Sequence, residues 1–185
     1  MKFGCCISLG GSPPKGADVH EQEAASFQQK LDWLSYKIEY LYNVGYDFVE
    51  FPVGIVAGED RNYEELSKRV GESLIKPEVF NCFIPSSMKL IGPDVDSNEV
   101  KKYIEYVVPR IAELGGECIV FGSGRARNLP TGYPIEATKS RLMDFLNTAA
   151  DICWKYNIVL AIEPLNRRES NIINSVSEAL RLAEE

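Results

Sequence analysis

Apolar residues along this chain come in two alternating kinds of run. Short stretches rich in β-branched and aromatic residues read as strands: Met1 to Ile7, Asp47 to Phe51, Val79 to Ile84, Cys118 to Phe121 and Asn157 to Ile162. Between them, apolar positions recur at helical spacing. Phe27, Leu31, Leu34, Ile38 and Leu41 form one stripe. Residues from Arg61 to Leu74 read as a second helix. Val100, Ile104, Val107, Ile111 and Leu114 form the next stripe, capped by Asp96 or Ser97 and closed by Gly115 and Gly116. Pro109 inside it predicts a kink or a break. Leu142, Phe145, Ala149, Ile152 and Tyr156 mark a fourth helix, with Pro134 in its first turn. Ser175 and Glu178 form a capping box that starts a last helix running to Glu185.

The pattern is strand then helix, five times over. Parallel strands with helices on the return are the expected product. Two architectures fit, an open doubly wound sheet and a (β/α)8 TIM barrel. The loops favour the barrel. Every return from helix to strand is short, while every connection from strand to helix is long and loaded with Gly, Pro and polar residues. A barrel gathers those loops on one active face, whereas an open sheet elaborates mainly its switch point. Strand ends recur at roughly 38 residues per unit, so eight units would take about 300 where typical barrels run about 250. The chain therefore reads as a single domain, 1–185, holding the first five βα units of an incomplete barrel. Its first and fifth strands would be bare edges. That predicts further strands beyond this chain, a second chain closing the barrel, or a homo-oligomer.

Composition narrows the function classes. Of 185 residues, 45% are hydrophobic and 25% charged, ordinary values for a globular protein. No apolar run reaches membrane-spanning length and no leader pattern opens the chain, which predicts a cytoplasmic protein with no membrane partner. The net charge of −7 disfavours nucleic acid, since neutralising phosphates needs clustered Lys and Arg. Cys5, Cys6, Cys82, Cys118 and Cys153 are odd in number and lack C-x-x-C spacing. They read as free thiols, small buried hydrophobes in a reducing compartment.

Chemistry concentrates at strand ends. Glu163 closes the fifth strand, and Pro164 stops the ladder behind it because it has no N–H to donate. Asn166, Arg167, Arg168 and Glu169 follow on the loop, all able to bind or charge a ligand, with Asn166 a candidate substrate-binding residue. Glu50 stands near the end of the second strand. Carboxylates at this face suit proton transfer between neighbouring carbons of a carbonyl compound, with a divalent cation stabilising the enediolate. Glu163 is the best base or ligand, because a strand end holds it rigidly. Glu169 would reach a substrate hydroxyl, and Glu50 either joins them or pairs with a neighbouring cation. The Gly122-Ser123-Gly124 turn lacks the third glycine of a dinucleotide fingerprint, with Arg127 in its place and no helix directly after it. It reads as a tight turn from which Arg125 and Arg127 face an anionic or polyhydroxyl ligand, or else pair with loop acids. His20, the lone histidine, sits in the first long loop and reads as a solvated surface residue.

Ile162-Glu163-Pro164-Leu165-Asn166-Arg167-Arg168-Glu169-Ser170-Asn171 resembles the fifth-strand motif of the xylose-isomerase-like sugar isomerases and epimerases. The pattern is nearest to ketose 3-epimerases and hydroxypyruvate isomerase-like proteins. Gly45-Tyr46-Asp47-Phe48-Val49-Glu50 resembles their second strand, and Val120-Phe121-Gly122-Ser123-Gly124 their fourth. The resemblance implies a metal-dependent 1,2-isomerase or C3-epimerase acting on a sugar or sugar phosphate. Glu163 would be metal ligand and catalytic acid, and Glu169 would bind a substrate hydroxyl. Mn²⁺, Mg²⁺ or Co²⁺ would be the cofactor. The family's other ligands, an Asp, a His and a second catalytic Glu, come from later strands, so activity is expected only with those strands present. The related DNA-repair endonucleases use histidines on early strands, where this chain has none.

Two rivals stand beside the isomerase. One is a non-catalytic sugar-binding or assembly module completed by another chain. The other is a flavodoxin-like ligand-binding domain, which would show strand order 2-1-3-4-5 in place of 1-2-3-4-5.

Overall fold

The computed structural model describes residues 1–10 and 25–185. Five strands form one sheet: β1 Gly4–Cys6, β2 Phe48–Pro52, β3 Pro77–Asn81, β4 Cys118–Phe121 and β5 Val159–Ile162. They lie side by side in chain order and every neighbouring pair is parallel. This is the order of a (β/α)8 barrel and it excludes the flavodoxin-like rival. Helices α1 Phe27–Asn43, α2 Asp60–Glu72, α3 Ser97–Glu113, α4 Ile135–Lys155 and α5 Val176–Glu184 follow the strands in turn. Residues 11–24 of the first loop, with His20, lie outside the described residues. Among those described, no helix is long and apolar enough to cross a membrane.

Local chemistry explains the helix starts. Ser26 caps α1 in a full capping box: its hydroxyl takes the Gln29 N–H, and the Gln29 amide oxygen takes the Ser26 N–H. Asp96 caps α3 by accepting from the N–H groups of Asn98 and Glu99. At α5 the box is shifted. Ser175 takes the Glu178 N–H, but the Glu178 carboxylate reaches back to the N–H of Asn174. The predicted stripes of α1 and α3 are the buried ones, apart from half-buried Phe27. On α4 only Tyr156, just past the last turn, is exposed.

Each strand turns alternate residues to the helices. Val49, Phe51, Phe80, Ile119 and Phe121 are fully buried there. Glu50 and Val120, on the opposite side of the sheet, are half-buried. Phe51 and Phe80 meet edge to face with ring centres 6.0 Å apart.

Four expectations change. The α3 helix runs through Pro109 without a break. The carbonyl left without its usual N–H is that of Glu105, on the exposed side of the helix where water can take it. Next, β3 ends at Asn81, short of Ile84, because Cys82 adopts a left-handed backbone with φ 52° that no ladder accommodates. A helical turn, Gly124–Arg127, does begin directly after the Gly122-Ser123 turn. Finally, all five cysteines are free, but only Cys153 is buried; Cys5 and Cys118 are half-buried, and Cys6 and Cys82 are exposed. Cys6 and Cys82 lie at the carboxyl ends of β1 and β3, outside the helix-packed core.

Two glycines test this packing from opposite sides. A β-carbon at Gly116 would sit 2.4 Å from an Ile111 methyl and 2.9 Å from the Phe80 ring. Gly116→Ala should therefore cost about 2 kcal/mol in urea unfolding, as overpacking does. Gly71, exposed in α2 with nothing near its α-carbon, should gain roughly 0.5–1 kcal/mol as Gly71→Ala. Equal effects from the two would contradict the packing described. Burial also pushes the Cys153 thiol up to about 11 from its ordinary 9.0. The unfolded thiol loses its proton first, so this group's contribution to stability should fall as pH rises from 9 towards 11. A thiol reagent at pH 8 should modify Cys6 and Cys82 in the native chain and Cys153 only on unfolding.

Candidate functional site

A cleft of about 670 Å³ opens at the carboxyl ends of the strands, lined chiefly by the segments that follow β3, β4 and β5. Glu50, Glu163, Glu169 and Arg125 all line it. Glu163 is the residue after β5, and its N–H still donates to the Phe121 carbonyl at 3.2 Å. The ladder thus carries one step past the strand and fixes the backbone from which this carboxylate projects. Its side chain lies over the backbone of Gly122 at the end of β4. A β-carbon there would come within 2.2 Å of Glu163 Oε2. Only glycine leaves the carboxylate that space. Among the described residues nothing donates a hydrogen bond to the Glu163 carboxylate, and the residue is exposed to the cleft.

Glu50 is half-buried and held by Asn81, whose amide donates to Glu50 Oε1 at 2.7 Å and also contacts Cys6 Sγ at 3.1 Å. Asn81 ends β3 and also lines the cleft. Sequence reasoning passed over it, although its place at a strand end, like those of Glu50 and Glu163, was the available signal. Cys82 beside it is pushed upward in pKa, mainly by burial and further by Cys6 and the negative charges of Glu163 and Glu50. Ser123, in a left-handed conformation with φ 39°, takes the Ile84 N–H on its hydroxyl at 2.9 Å. That bond ties the turn after β4 to the segment after β3.

Arg127 does not face the ligand, which corrects the sequence reading. Its side chain is fully buried and pairs with no acid among the described residues. One Nη donates to the Phe121 carbonyl at 3.0 Å, the other to the Glu163 carbonyl at 2.9 Å and the Ile173 carbonyl at 3.4 Å. Nε reaches Ser170 Oγ at 3.5 Å, and the guanidinium lies 5.3 Å from the centre of the Phe121 ring. Burial lowers its pKa to about 10, with the charge of Glu163 opposing that fall. It remains a cation at neutral pH, clamping the ends of β4 and β5 together. Ile173, a β-branched residue held at φ 55°, is one of its partners.

Asn166 is placed behind the cleft, not in its wall. Its amide donates to Glu169, and its carbonyl oxygen takes the Arg168 N–H at 2.9 Å. Arg125 and Arg168 reach the cleft from neighbouring loops. Among the described residues no three His, Cys, Asp or Glu side chains converge closely enough to hold a metal ion. Glu163 is a single carboxylate donor, and a hard divalent cation needs about six oxygens. The described residues thus do not fit such an ion by themselves.

A family model described as Xylose isomerase-like TIM barrel matches residues 38–185. No curated protein matches the chain. Among solved structures, 3-keto-D-glucoside 4-epimerase from E. coli in its apo form is 17% identical with a TM-score of 0.69, over 99% of this chain and 64% of that one. D-psicose 3-epimerase with D-tagatose, from Clostridium cellulolyticum H10, is 16% identical with a TM-score of 0.70, over 100% of this chain and 59% of that one. An AP endonuclease of family 2 from Brucella melitensis is 15% identical with a TM-score of 0.66, over 100% and 64%. The chain spans less than two thirds of the length of each.

The Arg127 clamp makes a sharp prediction. Its removal leaves the part-buried Glu163 carbonyl and the buried Ile173 carbonyl without this donor, so Arg127→Met should cost about 3 kcal/mol in denaturant unfolding. Arg127→Lys should recover less than half of that, because an ammonium cannot span three carbonyls in one plane. Full recovery by lysine would show that the charge matters and the fork does not.

Proposed function

The chain belongs to the Xylose isomerase-like TIM barrel family, and from that premise we propose that it is the N-terminal part of a sugar isomerase or epimerase. The observation that carries the reading is the Glu163 carboxylate, free of protein donors among the described residues and projecting from the end of β5 over Gly122. It stands in a cleft that also holds Glu50 and Glu169. A concave site with a few convergent polar groups suits a small polyhydroxyl substrate. The acidic balance of the whole chain suits no nucleic-acid backbone.

Glu163 takes the proton from the hydroxyl-bearing carbon beside the sugar carbonyl, leaving an enediolate; the hydroxyl proton passes to the old carbonyl oxygen, and Glu163 returns its own proton to the former carbonyl carbon. One base on one face is enough for that 1,2-isomerisation. Epimerisation needs a second acid on the opposite face, which we assign to no residue of this chain. Glu50, kept in place by Asn81, and Glu169, kept in place by Asn166, accept hydrogen bonds from sugar hydroxyls. Glu163 is also the ligand this chain would offer to Mn²⁺, Mg²⁺ or Co²⁺, whose chemistry when bound is to polarise the carbonyl.

A second reading, an assembly module completed by another chain, draws on the open edge. Val159 in β5 is 64% exposed, and Val176 and Leu180 on α5 are exposed as well. Sedimentation separates the two readings, since a well-folded monomer without a partner counts against the module.

Incubating the full-length protein with ketoses in D₂O and a divalent cation should exchange deuterium into the carbon-bound position beside the carbonyl. Glu163→Gln should slow this by roughly a hundredfold or more. Gly122→Ala adds a methyl that only the flexible end of Glu163 obstructs. It should leave stability within about 0.5 kcal/mol while lowering exchange about tenfold. Equal exchange by wild type and both variants would remove Glu163 from the reaction.

A further inference from the structure

Two cleft residues are left unexplained by the proton chemistry. Arg125 lies in the helical turn after β4, and Arg168 lies on the loop after β5. Both line the cleft and both are exposed. Their loops touch: a β-carbon at Gly124 would come within 2.5 Å of the Glu169 carbonyl. The two arginines thus line the cleft from segments in direct contact.

Neither guanidinium donates to a described protein group, and neither joins an ion pair among the described residues. Elsewhere arginines find acids readily, as Arg69 does with Asp32 and Arg110 with Asp60. In the cleft two of the three acids are otherwise engaged, and the third, Glu163, pairs with neither arginine among the described residues. Glu169 takes the Asn166 amide and Glu50 the Asn81 amide.

The backbones carrying the two arginines are well anchored. The Arg125 carbonyl takes Lys89 Nζ at 3.0 Å, and the next residue, Ala126, is buried with its carbonyl accepting from Leu90 N–H at 2.9 Å. The Arg168 N–H is held by Asn166, and Ser170, two residues on, is buried. A guanidinium presents a planar fork of donors that matches a carboxylate or phosphate in two parallel bonds. Neutral hydroxyls need no such fork, and Ser86, Ser123 and Asn128 already offer hydroxyl and amide groups along the same wall. A chain of net charge −7 also repels an anion at long range, so an anionic substrate needs local cations at the mouth.

We propose that Arg125 and Arg168 together grip the anionic end of the substrate, so that the sugar handled at Glu163 carries a carboxylate or a phosphate. The proposal rests on the sugar isomerase or epimerase reading for its substrate class. It fixes which sugars the cleft accepts, acidic or phosphorylated ones over neutral ones.

Calorimetric titration of the full-length protein with three five-carbon probes tests it: D-ribulose, D-ribulose 5-phosphate and D-ribonate. At least one anionic probe should bind roughly tenfold or more tightly than D-ribulose, and which one does so identifies the group as phosphate or carboxylate. The double variant Arg125→Gln/Arg168→Gln should bring that probe to within about twofold of D-ribulose, without a change in thermal unfolding. Lys101→Gln, on the far side of α3, should leave the preference as it was. Equal affinity for all three probes, no binding of either anion, or a preference that survives the double variant overturns the proposal. Glu163→Gln should keep the charge preference. Loss of deuterium exchange as a property of the protein, with the preference intact, would sink the isomerase reading alone and leave the grip standing.

Discussion

A single buried guanidinium joins the two strands on which this site depends. Arg127 sits among the carbonyls of Phe121, Glu163 and Ile173 and joins no ion pair among the described residues. Burying such a charge without a counter-ion is costly, and hydrogen bonds to several carbonyls are what makes it tolerable. The arrangement is therefore strongly directional. Moving either strand end would strand donors and acceptors in a dry interior, so the ends of β4 and β5 keep one mutual position.

From that anchor the rest of the cleft follows. The peptide carrying Glu163 is held on one side by the ladder to Phe121 and on the other by the clamp. Its carboxylate lies over the backbone of Gly122, at the cleft. The turn that contains Gly122 is tied through Ser123 to the segment after β3. That end of β3 supplies Asn81, which positions Glu50. The ends of four strands, β2 to β5, thus form one connected network beneath the cleft, and its loops carry the groups that remain free. A rigid base with mobile-ended side chains above it is what proton transfer at a positioned carbon requires.

The fold was legible in the sequence because its signals are periodic and additive. Stripes such as Val100, Ile104, Val107 and Ile111 have only one way to be buried. The asymmetry between short and long loops distinguished a barrel from an open sheet before any strand order was known. The site was legible only in part. Glu163 stands at the end of an unmistakable strand, and Pro164 marks the stop. Arg127 was misread because a basic residue after a glycine turn has the same signature whether it turns outward or inward. Its partners are main-chain carbonyls, which no residue type advertises. Asn81 was missed for a related reason: a single asparagine at a strand end gives no pattern until the neighbouring strand places a carboxylate against it. Cys82 ended β3 early through a backbone conformation that apolar composition does not encode.

The most direct test of the account is a crystal structure of the full-length protein with a ketose bound. The account predicts the sugar in the cleft above β3, β4 and β5, with the carbon beside its carbonyl about 3–3.5 Å from a Glu163 carboxylate oxygen. A sugar bound elsewhere, or a Glu163 side chain turned into the helical layer, would contradict it.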